Sequence, residues 1–444
     1  MIYVLLIGLI IQLIYCYYVF DRDIFSPSAI ICEVFILSTL ACIYNFSGLD
    51  TDIKLITAAV ILGGNTIFIL MSTFIHLFYK KKYGKIGLKK LECLKYINVQ
   101  KILLFAIVIF YVIFSIVFIR VSMSAINGLG QGGDLSSAMR EYRQNIIEDG
   151  SVLPGWLTKT GVVFNLGTFV LSYIFINNFL VNRKRKSNYL LLFCVVMYLI
   201  ASIFTAQRTT ILLMFIYILF VTYSLLNRKY QFIKKINFKY IMRGIAAVVV
   251  FLLLFGLTRG LFGRQSNFSA VDNVMFYTGN SIEFLDDFIA SPKESEQFGE
   301  ELFRQFRVTL AKFGLVTEST MNSPHLEFRQ AERGNFGNVY TAYRYYIHDF
   351  GYGSILFFQI VLALFYGIWY EKINRRKLNG KIDLGFIIYA WFMISLFRFS
   401  IMSHFFTDLS YFIFTHLLVF VFWKLILSIR LASGREINKY NTIN

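Results

Sequence analysis

Charge is what this sequence has least of. Asp, Glu, Lys and Arg make up 16% of it, against 57% hydrophobic residues and a mean hydropathy of +0.60, so a soluble fold could not cover its own surface. Cysteine is sparse too: the five residues, at 16, 32, 42, 93 and 194, include no CxxC pair, which argues against a disulfide framework. Only five histidines occur, with no HExxH and no His/Cys cluster at ligand spacing, so neither a metal nor a cofactor is expected. Neither a GxxxxGKS/T loop nor a GxGxxG fingerprint in a strand-to-helix turn is present, which removes the familiar nucleotide sites. No Ser/His/Asp arrangement is identifiable. Asp50 and Asp52 form a DxD triplet of a kind that arises often by chance, and Asp286 and Asp287 point to different faces of a helix.

What is abundant is long apolar runs. They fall at 2–20, 27–45, 55–79, 102–124, 160–181, 188–206, 209–226, 241–258, 352–370, 384–400 and 409–429. Runs of about 18 residues or more are the length of a helix crossing hydrocarbon. Helix is the required conformation, because a spanning segment must satisfy its own backbone hydrogen bonds. The expected fold is therefore an all-α polytopic membrane protein of about eleven spans. Residues 1–258 form a bundle of eight, 259–351 a large loop, and 352–444 the last three spans and a tail. The first run lacks a basic leader and a small-residue cleavage site, so it reads as a retained span.

Basic clusters mark every second loop: KKKYGKIGLKK after the third run, RKRK at 183–186, RKYQFIKKINFKYIMR at 228–243 and KINRRKLNGK at 372–381. With the tail, all lie on one side if the spans alternate, which makes that side cytoplasmic and places the amino terminus outside. The net charge of +18 is then a topology signal, and no nucleic-acid partner is expected. The two sides differ in cation as well. The inner segments carry 19 Lys and 9 Arg, the outer ones 4 Lys and 12 Arg with 19 of the 26 acids. Positive charge alone does not explain a switch to arginine. Its planar fork holds phosphate or carboxylate bidentately and stays charged when desolvated, so the outer face reads as built for an anion.

The outer segments 125–159 and 259–351 are too long for plain connectors. The second has only two prolines and is rich in aromatics, so it is expected to fold. Within it, 273–289 aligns Phe276, Asn280, Phe284 and Phe288 in a stripe suited to lying on a membrane surface. Residues 300–314 also read as helix, with Arg304 and Arg307 one turn apart; SAMREYRQNII in the first segment spaces Arg140 and Arg143 likewise. Arginines stand at span edges in TAQRTT (Arg208), TRGLFGR (Arg259, Arg264) and RFSIMSHFFTD, where Arg398 is followed by His404 and Asp408. An ionisable group at membrane depth is costly and points to function; its plain alternative is a snorkelling anchor. In GNVYTAYRYYIHDFGYGS (337–354), a helix over 339–350 aligns Thr341, Arg344 and His348, pairs Tyr345 with Asp349, and leaves the tyrosines partly as an interfacial belt.

That string leading into a span resembles a signature of bacterial O-antigen polymerases of the Wzy type. The layout is similar too: about a dozen helices, one large outer loop before the late spans, a short turn like TAQRT and a segment like FYTGNSIEFLDD. The resemblance implies glycosyl transfer at the outer face of a bacterial cytoplasmic membrane. A glycan on undecaprenyl diphosphate would be the donor and a lipid-linked repeat unit the acceptor, without metal and with inversion. Arg208, Arg259, Arg264, Arg344 and Arg398 would stabilise the departing diphosphate, and His348 would act as base, with His404 and Asp349 as alternates. A chain-length regulator and a flippase of the same pathway are possible partners. The rivals are an O-antigen ligase, a polyprenyl-phosphate-sugar transferase resting on Asp50 and Asp52, and a flippase or transporter, which would call for short outer loops and an internal repeat.

Overall fold

Apolar runs with few breakers give long helices, and a computed structural model of the chain is built almost wholly from them. The residues described are 1–49, 51–84, 86, 94–129, 138–139, 141–142, 145, 153–183, 185–204, 209–230, 269–316, 326–332, 334, 336–376 and 380–429. The first seven helices are α1 (Ile2–Val19), α2 (Pro27–Phe46), α3 (Leu55–Tyr83), α4 (Lys101–Leu129), α5 (Gly155–Val181), α6 (Ser187–Ile203) and α7 (Thr209–Lys229). Then come α8 (Ala270–Ala290), α9 (Arg304–Lys312), α10 (Ala342–Phe350), α11 (Ser354–Arg375) and α12 (Leu384–Phe397). The last element, α13 (Phe405–Tyr411), passes through a π-helical turn at Phe412–His416 into α14 (Leu417–Ser428). Among the described residues the only strands are β1 (Arg329–Gln330) and β2 (Phe336–Gly337), an antiparallel pair with Arg329 opposite Gly337.

Among the described residues, eight helices are long and apolar enough to cross a membrane: α1 to α5, α7, α11 and the continuous α13–α14. The chain is thus an all-α protein of multi-pass membrane type. Two further expected runs form shorter helices, α6 with 17 residues and α12 with 14. The run at 241–258 lies outside the described residues, as do Arg140, Arg143, Arg208, Arg259, Arg264 and Asp50.

At 1.5 Å per residue, α12 spans only about 21 Å. It stops at Phe397 and the chain turns through 398–404, so the apolar run continues to 400 but the helix does not. Every residue of α12 from Phe386 to Leu396 is buried, as expected of a helix that is apolar on all sides. Irregular backbone beside such a helix persists only where protein surrounds it. Here the Ala342 amide donates to the Phe399 carbonyl at 3.0 Å, tying α10 to the turn.

The segment between α7 and α11 is not peripheral. Helix α8 packs along α2 and also touches α3. Its stripe, which suggested a helix resting on a membrane surface, is taken up by protein: Asn280, Phe284 and Phe288 are all buried. Gly279 makes this possible, since a Cβ there would come 2.6 Å from the backbone of Ala41 and Cys42. Asn45 of α2 donates to the Met275 carbonyl at 3.1 Å and to Asn280 at 2.6 Å, and Tyr44 donates to Asp272 at 2.8 Å. Ser269 and Asp272 form a reciprocal capping box that starts α8. Asp286 accepts from the Lys54 amide at 2.7 Å and from the Thr57 hydroxyl, which fixes α8 to the start of α3.

Candidate functional site

The stretch 337–354 folds around two local devices. Thr341, extended at φ −60° and ψ 157°, begins α10, and Gly351, left-handed at φ +73°, ends it. The Ser354 hydroxyl then reaches back to the carbonyls of Tyr346 (2.9 Å) and Gly351 (2.6 Å) as α11 begins. Of the tyrosines in this stretch only Tyr352 is exposed as a belt residue would be. Tyr340, Tyr343 and Tyr346 are fully buried. Tyr343 stacks on Phe35 and donates to Asn65 at 2.6 Å, and Tyr346 stacks on Phe358. A period of tyrosines says that one face is apolar; it does not say whether lipid or protein covers that face.

Arg344 and His348 share a face of α10, as their spacing predicts, and what joins them is a residue from another segment. Glu301, in the turn before α9, accepts from Arg344 Nη1, and its other oxygen lies 3.8 Å from His348 Nε2. The expected partnership of Tyr345 with Asp349 gives way to a different one. Asp349 Oδ1 sits 2.9 Å from His348 Nδ1, and its second oxygen accepts from the Leu302 amide at 2.7 Å and the Glu301 amide at 3.2 Å. A carboxylate can only accept, so Nδ1 carries the proton and Nε2 is turned toward Glu301. The ring closes on itself: Arg344 holds the Glu301 side chain, Asp349 holds its backbone, and His348 faces its second oxygen at 3.8 Å.

Arg344 is fully buried, and its guanidinium lies 4.5 Å from the Tyr340 ring centre and 4.9 Å from that of Phe288. Its second nitrogen is 3.5 Å from Glu327. The fork expected to meet a diphosphate therefore faces two carboxylates of its own chain. Exposure separates the members of the ring: the side chains of Arg344, His348 and Asp349 keep 1%, 2% and 0%, whereas Glu301 keeps 15% and Glu327 24%. Burial pushes the Glu301 carboxyl up from its ordinary value, opposed by the Arg344 cation and then by His348.

Arg398, His404 and Asp408 also come together, in a second cluster. Arg398 Nη2 lies 3.1 Å from Asp408 Oδ2, Ser395 donates to the same oxygen, and His404 Nδ1 is 4.0 Å from Asp408 Oδ1. Desolvation, then the Arg398 cation, holds His404 well below the usual imidazole range, so it is neutral at pH 7. An aromatic layer that includes Phe303, Phe358, Phe399 and Phe406 lies between the clusters. Tyr345 responds to the charges of both: burial, with the Glu301 carboxylate behind it, pushes its phenol up, and Arg398 is also within its electrostatic range.

Helix α9 continues from Glu301. It carries Arg304 and Arg307, both half-buried, and Phe306 packs on Phe414 near the start of the last long helix. Glu301 and Glu327 escape sequence reasoning because they lie 43 and 17 residues before Arg344, beyond any helical offset. Among the described residues no group of three or more His, Cys, Asp or Glu could hold a metal ion. Asp52 bonds to the amino group of Met1 and to the Ile2 amide. No family model matches this sequence, and neither a curated protein nor a solved structure is a match to it.

Proposed function

We propose that this protein polymerises oligosaccharide repeat units carried on undecaprenyl diphosphate, by glycosyl transfer at the outer face of a bacterial cytoplasmic membrane. The observation that carries the reading is the ring of Arg344, His348 and Asp349 closed around Glu301, in which those three side chains are sealed and the Glu301 carboxylate stays partly exposed. A fixed carboxylate of raised pKa is what a general base for a sugar hydroxyl requires. His348, Arg344 and Asp349, to which the resemblance assigns catalysis, then serve as positioning residues.

In the reaction, Glu301 takes the proton of the acceptor hydroxyl while that oxygen attacks the anomeric carbon of the donor glycan. The bond from that carbon to the phosphate oxygen breaks, and its electron pair leaves with the lipid diphosphate. A single displacement of this kind inverts the anomeric centre. Negative charge grows on the leaving diphosphate, and fixed cations in a partly desolvated site lower the barrier. Arg304 and Arg307 lie three and six residues beyond Glu301 and suit that work. Arg208, Arg259 and Arg264 are assigned to it from their place in the sequence, while Arg398 is engaged by Asp408.

Deleting the gene and sizing the surface glycan tests the reading. Loss of long chains with single units retained on the lipid is the expected result. Polymer accumulating on the carrier lipid would mean a ligase, and unchanged glycan would overturn both.

A further inference from the structure

At the opposite end of α11 from Glu301, the turn between α1 and α2 holds a half-buried carboxylate that pairs with no cation among the described residues. Asp21 (φ 52°) and Arg22 (φ 69°) are both left-handed, a conformation that non-glycine residues rarely adopt and that concentrates at functional sites. The strained turn delivers Asp23 into the interior, where it accepts from the Tyr370 hydroxyl and from the Phe25 amide at 3.0 Å. Among the described residues no Lys, Arg or His pairs with it.

Asp23 lines a small cavity whose other polar lining comes from Tyr223, Ser224 and Asn227 of α7 and Tyr370 and Asn374 of α11. Among the described residues every polar side chain there offers an oxygen, and no cationic residue lines it. Asn374 is 7% exposed, and no described residue hydrogen-bonds its amide. The carbonyl of such an amide is a neutral ligand for a hard cation. One carboxylate among neutral oxygens balances one positive charge. Burial pushes the Asp23 carboxyl up from its ordinary value; a cation against it would hold it ionised.

We propose that this cavity binds one alkali-metal cation, with Asp23 supplying the charge and Ser224, Asn227 and Asn374 the neutral oxygens. The site is independent of the glycosyl-transfer reading and would tie the α1–α2 turn to α7 and α11. A ligand that binds only the folded state raises the melting temperature with the logarithm of its concentration. The purified protein in detergent is melted in NaCl, KCl and choline chloride at equal ionic strength. Melting should rise by about 2 °C for each tenfold increase in Na+ or K+ above the dissociation constant, relative to choline. Asp23→Asn should lose this response. If that variant does not insert, Asn374→Ala decides, with an expected weakening of at least tenfold in apparent affinity. Identical melting of the wild type in all three salts overturns the proposal, as does a full alkali response in both variants.

Discussion

The same three residue types, glutamate, histidine and arginine, meet at both ends of α11 and do different things. At the far end, Glu371 lies 2.6 Å from His76 of α3 and 2.8 Å from Arg375, and the His76 and Glu371 side chains are only 2% and 1% exposed. At the near end, Glu301 stands 3.8 Å from His348 and stays partly open. The first arrangement joins two long helices whose packing it cannot leave. The second is built from a turn and a short helix, and it holds a carboxylate where a ligand can reach it. Shared composition therefore does not settle role; the length of the contact and the exposure of the acid do.

The sharpest way to break the comparison is to neutralise each acid in turn. Glu301→Gln should lower polymerisation roughly 10²- to 10⁴-fold, the usual contribution of a general base, while the protein still inserts and melts near the wild-type temperature. Activity within twofold of wild type would end the assignment of Glu301 as base. The pH profile adds a second readout. A base must be deprotonated, so the rate should fall as pH drops through the Glu301 value, which burial places above the ordinary 4.5. An acid limb that persists unchanged in a residual Glu301→Gln activity would point back to His348.

The matching change at the other end should act on stability instead. Glu371→Ala leaves His76 and Arg375 without their carboxylate, and breaking a buried pair costs about 3–5 kcal/mol. Thermal unfolding in detergent should show the loss, while the inserted fraction keeps its polymerising rate per molecule. A Glu371→Ala protein as stable as wild type would mean that the pair is not a lock between α3 and α11.

Gly279→Ala probes a weaker joint that serves only the Glu301 end. Its new methyl group meets α2 backbone, which cannot rotate away, so α8 must shift. Overpacking of this kind costs about 1–3 kcal/mol. Because Phe288 of α8 covers the Arg344 guanidinium, polymerising activity should fall along with the melting temperature, and the His76–Glu371 end should be untouched. A lower melting temperature with full activity would separate α8 from the site.

How much of this was legible in advance follows from what a helix period contains. Long apolar runs fix where helices form, and ten of the eleven expected runs are helices with ends close to those read from the sequence. The offset of four between Arg344 and His348 is a property of one helix and survives folding. What a period lacks is the identity of the neighbour. Phe284 and Phe288 would fit lipid as well as they fit α10, and Gly279, a small residue permitting close helix approach, was the one local sign of a protein partner. Glu301, supplied by a turn far away in sequence, left no sign at all.

The smallest effect expected is electrostatic and belongs to the second cluster. His404 is held below the ordinary imidazole value of 6.5 by desolvation and by Arg398. As pH falls below 6.5 the unfolded chain takes up this proton and the folded one does not, so the stability contributed by a neutral His404 is lost on acidification. His404→Gln removes the proton-binding group from both states. The variant should therefore melt with a flatter pH dependence than wild type between about pH 7 and 5. The side chain is 34% exposed, so solvent screening keeps the difference modest. Parallel melting curves for the two proteins across that range would show that the Arg398 cluster does not hold His404 neutral, and that its pairing with Asp408 dominates instead.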